Sequence, residues 1–363
     1  MSGRSDPPVV YRTGLAADRS AAVALCGSAL GWRPEDPNEA LFAWKHDRSA
    51  FGPSPFWVAE IDGQLVGVRV FLRWEFQDRS GQVVRAVRAV DTATHPGFQG
   101  QGIFRNLTLR ALDALGADGV AFVFNTPNDQ SRPGYLKMGW EVLGRVPVGV
   151  SVRSPIGVAR MATARVPAGK WSVPCDVGDD ARTVFGFNRV PSDGLALRNL
   201  LDASRSAPGS SLTGSTFSGP SLVTNRTDSF FAWRYADGPL SYRVLRRGRR
   251  LDDGFVVFRL RRRGRACEAT ICDVVHHERD NRVASELVRS VLRETGAHYA
   301  ISVVPGAATR TAGSGIGAAR IMGPGSAVPI PGQGPVFTWR SITRTSIPPL
   351  STWSLRLGDI ELF

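Results

Sequence analysis

Phe42-Ala43-Trp44-Lys45-His46 recurs as Phe231-Ala232-Trp233-Arg234-Tyr235. This internal repeat constrains the fold more than any other feature, because a repeated string of elements implies two copies of one supersecondary unit. After the first copy, the apolar pattern predicts strands at Phe56–Glu60, Val66–Phe76 and Val84–Thr94, with a turn at Asp62-Gly63. After the second, it predicts strands at 241–247, Phe255–Arg263 and Ala266–Val275. An amphipathic helix and a further apolar strand follow in both, at Val120–Asn125 and 299–304. The plan is β-β-β-α-β, twice. Asp91 and Asp273 hold comparable places in it, as do His95 and His277.

A chain of 363 residues with 42% apolar content has room for two or three domains and their cores. The expected division is a module over 1–150, a connecting segment over 151–220 and a second module over 221–363. Ala207–Pro220 and Pro305–Gly334 are rich in small and turn-forming residues and read as loops or linkers. Trp353–Phe363 alternates apolar and polar residues and reads as a strand. Met1–Tyr11 lacks the apolar core of a signal peptide. No run of about 18 apolar residues occurs, so no membrane span and a cytoplasmic setting are expected. Cys26, Cys175, Cys267 and Cys272 form no C-x-x-C pair and show no zinc spacing, so reduced thiols and no metal are expected.

The net charge of +13 rests almost wholly on arginine, since only Lys45, Lys137 and Lys170 are lysines. Biased composition accounts for such a balance; an acidic partner such as CoA, a nucleotide or RNA is the sharper reading.

The segment that carries chemistry is Asp91–Gly102, D-T-A-T-H-P-G-F-Q-G-Q-G. Beyond it Ile103, Leu107, Ala111 and Leu115 recur with a helical period. Strand, glycine turn and helix follow one another. Gly100 and Gly102 let the backbone turn tightly and approach a ligand. The first N–H groups of the helix, over Gln99–Phe104, face outward with the positive end of its dipole and make a phosphate cradle. No Gly-Lys-Ser/Thr follows, so the loop is not an ATP P-loop, and no third glycine makes it a dinucleotide fingerprint.

His95-Pro96-Gly97-Phe98-Gln99-Gly100-Gln101-Gly102-Ile103-Phe104 resembles the acyl-CoA pyrophosphate loop of the GCN5-related N-acetyltransferases (GNAT), with Gly97 at a position that family often fills with Gln or Arg. Asn128, Ser131 and Tyr135, followed by Lys137-Met138-Gly139-Trp140, resemble the family's downstream segment, with Ser for Ala and Trp for Phe. The resemblance covers Val9 to Gly149. It implies an α/β (α+β) fold of two GNAT-like modules, each a mixed, mostly antiparallel twisted sheet flanked by helices.

The resemblance also implies roles. The pantetheine arm would lie between the strands Val84–Thr94 and Val120–Asn125, with backbone near Thr92, Ala93 and Thr94 polarising the thioester. Gln99, Gly100, Gln101, Gly102, Ile103 and Phe104 would bind the pyrophosphate. Asn128 would bond the cofactor, and Ser131 would let the helix approach it. Tyr135 would protonate the leaving thiolate, a task suited to a phenol. Asp91 is a candidate base, although Asp273 in the second copy, where no glycine loop follows, points instead to a shared structural task. The carboxylate of Phe363 is another candidate, because two-module enzymes of the enhanced-intracellular-survival type use their C-terminus in this way.

In the second copy the loop position reads His276-His277-Glu278-Arg279-Asp280-Asn281, without glycine and with two acids, so no CoA is expected there. Ten arginines between Arg243 and Arg265, with only Asp252 and Asp253 nearby in sequence, suggest a basic ridge. The expected activity is transfer of an acyl group from acyl-CoA, acetyl-CoA first among donors, to the amine of a small molecule. One alternative is a Fem-type aminoacyl transferase that binds tRNA on the ridge. Another is a CoA-binding protein without turnover.

Overall fold

A computed structural model of the chain describes residues 8–78, 80–206, 222–276, 281–304, 328–329, 334–343 and 346–361. They form two compact units. The first gathers Met1–Glu75, Val84–Val142 and Phe337–Ser346, and the second Phe76–Val83, Leu143–Val336 and Ile347–Phe363.

The chain enters the first unit through β1 (Val10–Thr13), α1 (Arg19–Leu30) and α2 (Asn38–Phe42). A π-helical turn at Ala43–Asp47 carries Lys45 and His46. Then come β2 (Phe56–Ile61), β3 (Gln64–Gln77), β4 (Val83–Thr94), α3 (Ile103–Ala117), β5 (Phe122–Asn125), α4 (Arg132–Lys137) and β6 (Glu141–Arg145). The second unit contains β7 (Val148–Val152), α5 (Pro155–Thr163), β8 (Asp179–Asp180), α6 (Ala181–Phe185) and α7 (Pro191–Ser206). It continues through β9 (Val223–Thr224), α8 (Asp228–Phe231) and a second π-helical turn at Ala232–Ala236. The repeat follows as β10 (Arg243–Arg246), β11 (Phe255–Arg263), β12 (Ala266–Val275), α9 (Asn281–Thr295) and β13 (Tyr299–Val303), then β14 (Val328–Pro329). β15 (Val336–Ser341) and α10 (Leu357–Ile360) end the series.

One sheet runs β1-β2-β3-β4-β5-β15-β6, with β9 paired to the end of β3; the other runs β14-β7-β13-β12-β11-β10-β8. Each is mixed and mostly antiparallel. β4 and β5 are parallel in the first and β12 and β13 in the second. β15 pairs with β5 through Thr338 and Asn125, so a late segment of the chain completes the first sheet.

Strand alternation sets the layers of the first unit. Trp57 and Ala59 of β2 pack with Ile103, Leu107, Ala111 and Leu115 of α3. Val58 packs instead with Ala22, Val23 and Cys26 of α1. α3 comes so close to β3 that a Cβ on Gly67 would lie 2.5 Å from Ile103 Cγ2. In the second unit, Val283, Leu287, Val291 and Leu292 of α9 cover Val256, Phe258 and Leu260 of β11.

Three expectations need correction or placement. Within the described residues, the stretch expected as a strand from Trp353 is not one: a 3₁₀ turn spans Leu350–Thr352 and α10 follows. The alternation Trp353, Leu355, Leu357 breaks at Ile360, and Asp359 accepts a hydrogen bond from the Arg356 N–H at 2.7 Å, closing a helical turn. The arginine ridge is largely paired within its own unit. Arg246 bonds Asp193 at 2.8 Å and Asp179 at 2.8 Å, Arg259 pairs with Glu361, Arg261 with Glu268 at 3.0 Å, and Arg243 donates to the carbonyls of Asp176 and Val177. Asp179, Asp193 and Glu361 lie far away in sequence from these arginines, and Glu268 comes from the adjacent strand. Ala207–Pro220, most of Pro305–Gly334, His277–Asp280 and Phe363 lie outside the described residues.

Among the described residues no helix is long and apolar enough to cross a membrane, and no cluster of His, Cys, Asp and Glu is arranged to hold a metal. All four cysteines are free, with Cys26 and Cys272 buried.

Candidate active site

The site is built where β4 ends. Parallel pairing with β5 is confined to Ala86–Arg88 against Phe122–Phe124. Three residues beyond Arg88, Asp91 has φ of 43°, in the left-handed region, which kinks the strand before Thr92, Ala93 and Thr94. A ligand that runs between β4 and β5 meets backbone groups there that the sheet does not use.

The glycine loop follows directly. His95 Nδ1 accepts from the Gly97 N–H at 3.2 Å and caps a 3₁₀ turn over Pro96–Phe98. Gly100 and Gly102 have φ of 81° and 78°, and Gly102 is the N-cap of α3. A Cβ built on Gly100 meets nothing within 4 Å, so the loop faces open space. The first helical bond is Asn106 N–H to Gly102 C=O, at 2.9 Å. The N–H groups of Ile103, Phe104 and Arg105 therefore have no acceptor within the helix and head the dipole. Gln99, Gly100, Gln101 and Gly102 are exposed, while the Ile103 side chain is buried in the core and offers only its backbone. The residues present fit a pyrophosphate.

Across the site, Asn128 Oδ1 accepts from both the N–H and the hydroxyl of Ser131, each at 2.9 Å. The turn consumes that oxygen and starts α4, the helix that carries Tyr135. The Tyr135 ring packs on Phe104 and Trp140, and its hydroxyl accepts from Arg69 Nη1 at 2.7 Å. The same nitrogen donates to Thr92 Oγ1. Arg69 thus joins Thr92 of β4 to Tyr135 of α4, two residues found by sequence. Arg69 itself escaped sequence reading. Its signal is a lone charge inside the apolar run Val66-Gly67-Val68-Arg69-Val70-Phe71-Leu72 of a central strand.

Asp91 turns away from this work. Its Oδ2 lies 2.6 Å from Lys45 Nζ and 2.6 Å from His46 Nε2, and all three side chains are buried. Burial alone would raise the carboxyl pKa, but Lys45 and His46 hold it well below the usual carboxylate range. Burial lowers the His46 pKa, against the raising effect of Asp91. The His46 Nδ1 lies 3.0 Å from Ser54 Oγ. A carboxylate this weakly basic is a poor proton acceptor at neutral pH. In the second unit Asp273 meets the Tyr235 hydroxyl and, at 2.8 Å, Arg226 Nε. The two aspartates make equivalent buried contacts, each with the π-helical turn of its own unit. Glu361, two residues before Phe363, is held by Arg259 within the second unit.

Residues 11–143 match the family model of the acetyltransferase (GNAT) domain. No curated protein matches the chain. Among solved structures, a GCN5-related N-acetyltransferase from Anabaena variabilis ATCC 29413 aligns over 93% of this chain and 73% of its own, with TM-score 0.57 and 12% identity. A GCN5-related N-acetyltransferase from Kribbella flavida aligns over 94% and 72%, with TM-score 0.52 and 15% identity. These likenesses are of fold and extend over both units. Residues 11–143 are thus a GNAT acetyltransferase domain by their match to the family model, and the two-module chain as a whole shares the fold of GCN5-related N-acetyltransferases.

Proposed function

We propose that the first unit is an N-acyltransferase that takes its acyl group from an acyl-CoA, acetyl-CoA being the first donor to test, and passes it to the amine of a small molecule. The observation that carries this reading is the open loop at Gly100 and Gly102, set at the start of α3 with Tyr135 packed against Phe104 of that helix's first turn.

The donor supplies a thioester: a C–N bond to the neutral amine forms as the C–S bond breaks, the thiolate sulfur takes a proton from the Tyr135 phenol, and the proton released by the amine nitrogen returns through solvent to the phenolate. The N–H groups of Ile103, Phe104 and Arg105 bind the pyrophosphate. Backbone at Thr92–Thr94, beyond the pairing of β4 with β5, binds the arm and polarises the carbonyl. Because Arg69 donates to Tyr135 Oη, the phenol keeps its own hydrogen to give to the sulfur. Asn128 and Ser131 set the start of α4 and so the height of Tyr135. The pairing of the second unit's arginines with its own carboxylates leaves a tRNA donor with less support than acyl-CoA.

Calorimetry with acetyl-CoA tests the reading on wild type and on a Gly100→Glu/Gly102→Glu variant. Micromolar binding that the variant loses is the expected result. A wild-type chain that binds no acyl-CoA overturns it.

A further inference from the structure

Arg69 is buried completely, and no carboxylate among the described residues pairs with it. Its Nη1 is used twice, by Thr92 Oγ1 and Tyr135 Oη. Its Nε and Nη2 are buried without a protein partner. These two nitrogens form one edge of the guanidinium, with two parallel N–H bonds that match the two oxygens of a carboxylate. Phe71, Phe104 and Tyr135 lie 4.5, 5.6 and 5.3 Å from the cation, measured to their ring centres. Ring faces attract the charge, but they do not supply a two-oxygen acceptor in the plane of that edge.

The repeat provides an internal control. His95 N–H bonds Val66 C=O, and three residues further along each antiparallel strand Arg69 faces Thr92. Thr92 follows Asp91 as Val274 follows Asp273, and Val274 pairs with Val256. The second unit therefore has two valines in its core where the first has an arginine and a threonine. The module folds with an apolar pair at this place, so the fold itself does not call for the charge. An unpaired buried guanidinium is costly to fold.

We infer that Arg69 is the recognition point for a substrate carboxylate, bound through its Nε–Nη2 edge beside Tyr135 and Thr92. The inference rests on the acyltransfer reading for the identity of the site and deepens it. The carboxylate comes either from the acyl chain of a dicarboxylic acyl-CoA or from an acceptor that is an amino acid. The Phe104 ring, its centre 5.6 Å from the cation, is the partly buried neighbour of this edge on the side of the glycine loop's helix.

Binding of acetyl-CoA, malonyl-CoA and succinyl-CoA to the full chain, by calorimetry, distinguishes the sources. If the donor carries the carboxylate, one of the diacid esters binds at least about tenfold tighter than acetyl-CoA, the gain typical of a charge-assisted pair. Arg69→Met then erases the difference between the esters. If the acceptor carries it, the esters bind alike. Amino acids then bind to the CoA-saturated chain, their amides do not, and Arg69→Met loses the discrimination. A third arm is independent of CoA: malonate or succinate raises the melting temperature of wild type and not of Arg69→Met. Failure of CoA esters to bind, with this third arm positive, removes the acyltransfer reading and keeps the carboxylate site. Wild type and Arg69→Met indistinguishable in all three arms overturns the inference and leaves Arg69 as a positioning group for Tyr135.

Discussion

His46 Nε2 lies 2.6 Å from Asp91 Oδ2, and the Tyr235 hydroxyl meets Asp273 Oδ2 in the same way one module later. Both partners end the repeated Phe-Ala-Trp string, and both sit on a π-helical turn. The contact ties that turn to the strand at which β4, and β12 in the second unit, part from their parallel neighbour. Lys45→Met leaves Asp91 with an unmatched buried charge and is expected to cost about 3–5 kcal/mol in urea unfolding. The pH dependence follows from the depressed carboxyl of Asp91. A group whose folded pKa is lowered lends its stability above its unfolded value, about 4, and loses it as pH falls. Asp91→Asn should therefore be less stable at neutral pH and flatter on the acid side. A variant that parallels wild type at every pH would contradict this role.

Tyr135→Phe keeps the ring against Phe104 and Trp140 and removes the proton. Its kcat should fall by about 10²–10⁴ with KM little changed. Steady-state kinetics with the first acceptor found decides the matter, and an unchanged kcat removes Tyr135 from the acid role.

Two glycines should fail for different reasons. Gly67→Ala places its Cβ 2.5 Å from Ile103 Cγ2, so α3 must shift, at about 1–3 kcal/mol. Gly100→Ala meets no neighbour and suffers only the strain of φ at 81°, about 1–2 kcal/mol. Gly67→Ala should also weaken donor binding, because it moves the helix that carries the cradle. Melting curves and calorimetry on both variants separate the effects.

Arg12 bonds Asp18 at 2.6 Å and also Glu60, which joins β1 to the start of α1 and to β2. The Arg12 hydrogen bonds lower the Asp18 pKa to about 2. Its contribution is present above pH about 4 and is lost as pH falls through about 2. Asp18→Asn should remove that part of the acid transition; an unaltered acid limb counts against it.

Glu361→Ala strips the carboxylate from Arg259, which is buried, and from Arg261. A loss of about 3–5 kcal/mol is expected, seen as an earlier denaturant midpoint. A surface pair would cost less than about 1 kcal/mol, so a small effect would place Glu361 in solvent.

The β-β-β-α-β order of both modules was legible in the sequence because strand and helix periods are local and the repeat supplied a second reading of each. Phe255–Arg263 and Ala266–Val275 are strands with the expected ends. The C-terminal strand failed because Trp353, Leu355 and Leu357 report burial, and burial without a ladder does not make a strand. The arginines between Arg243 and Arg265 looked unpaired because most of their carboxylates, Asp179, Asp193 and Glu361, enter from distant parts of the chain, while Glu268 reaches Arg261 from the next strand.

By itself the sequence determined the glycine turn at the start of α3, since positive φ there demands glycine at Gly100 and Gly102 wherever the rest of the chain lies. It also determined the equivalence of Asp91 and Asp273. Only the tertiary structure decided what those residues meet: the buried pairing of Asp91 with Lys45 and His46, and the seat of Arg69 between Thr92 and Tyr135. Those contacts join residues 23 to 66 positions apart. Local periodicity carries no information over such separations; sheet register and helix packing do.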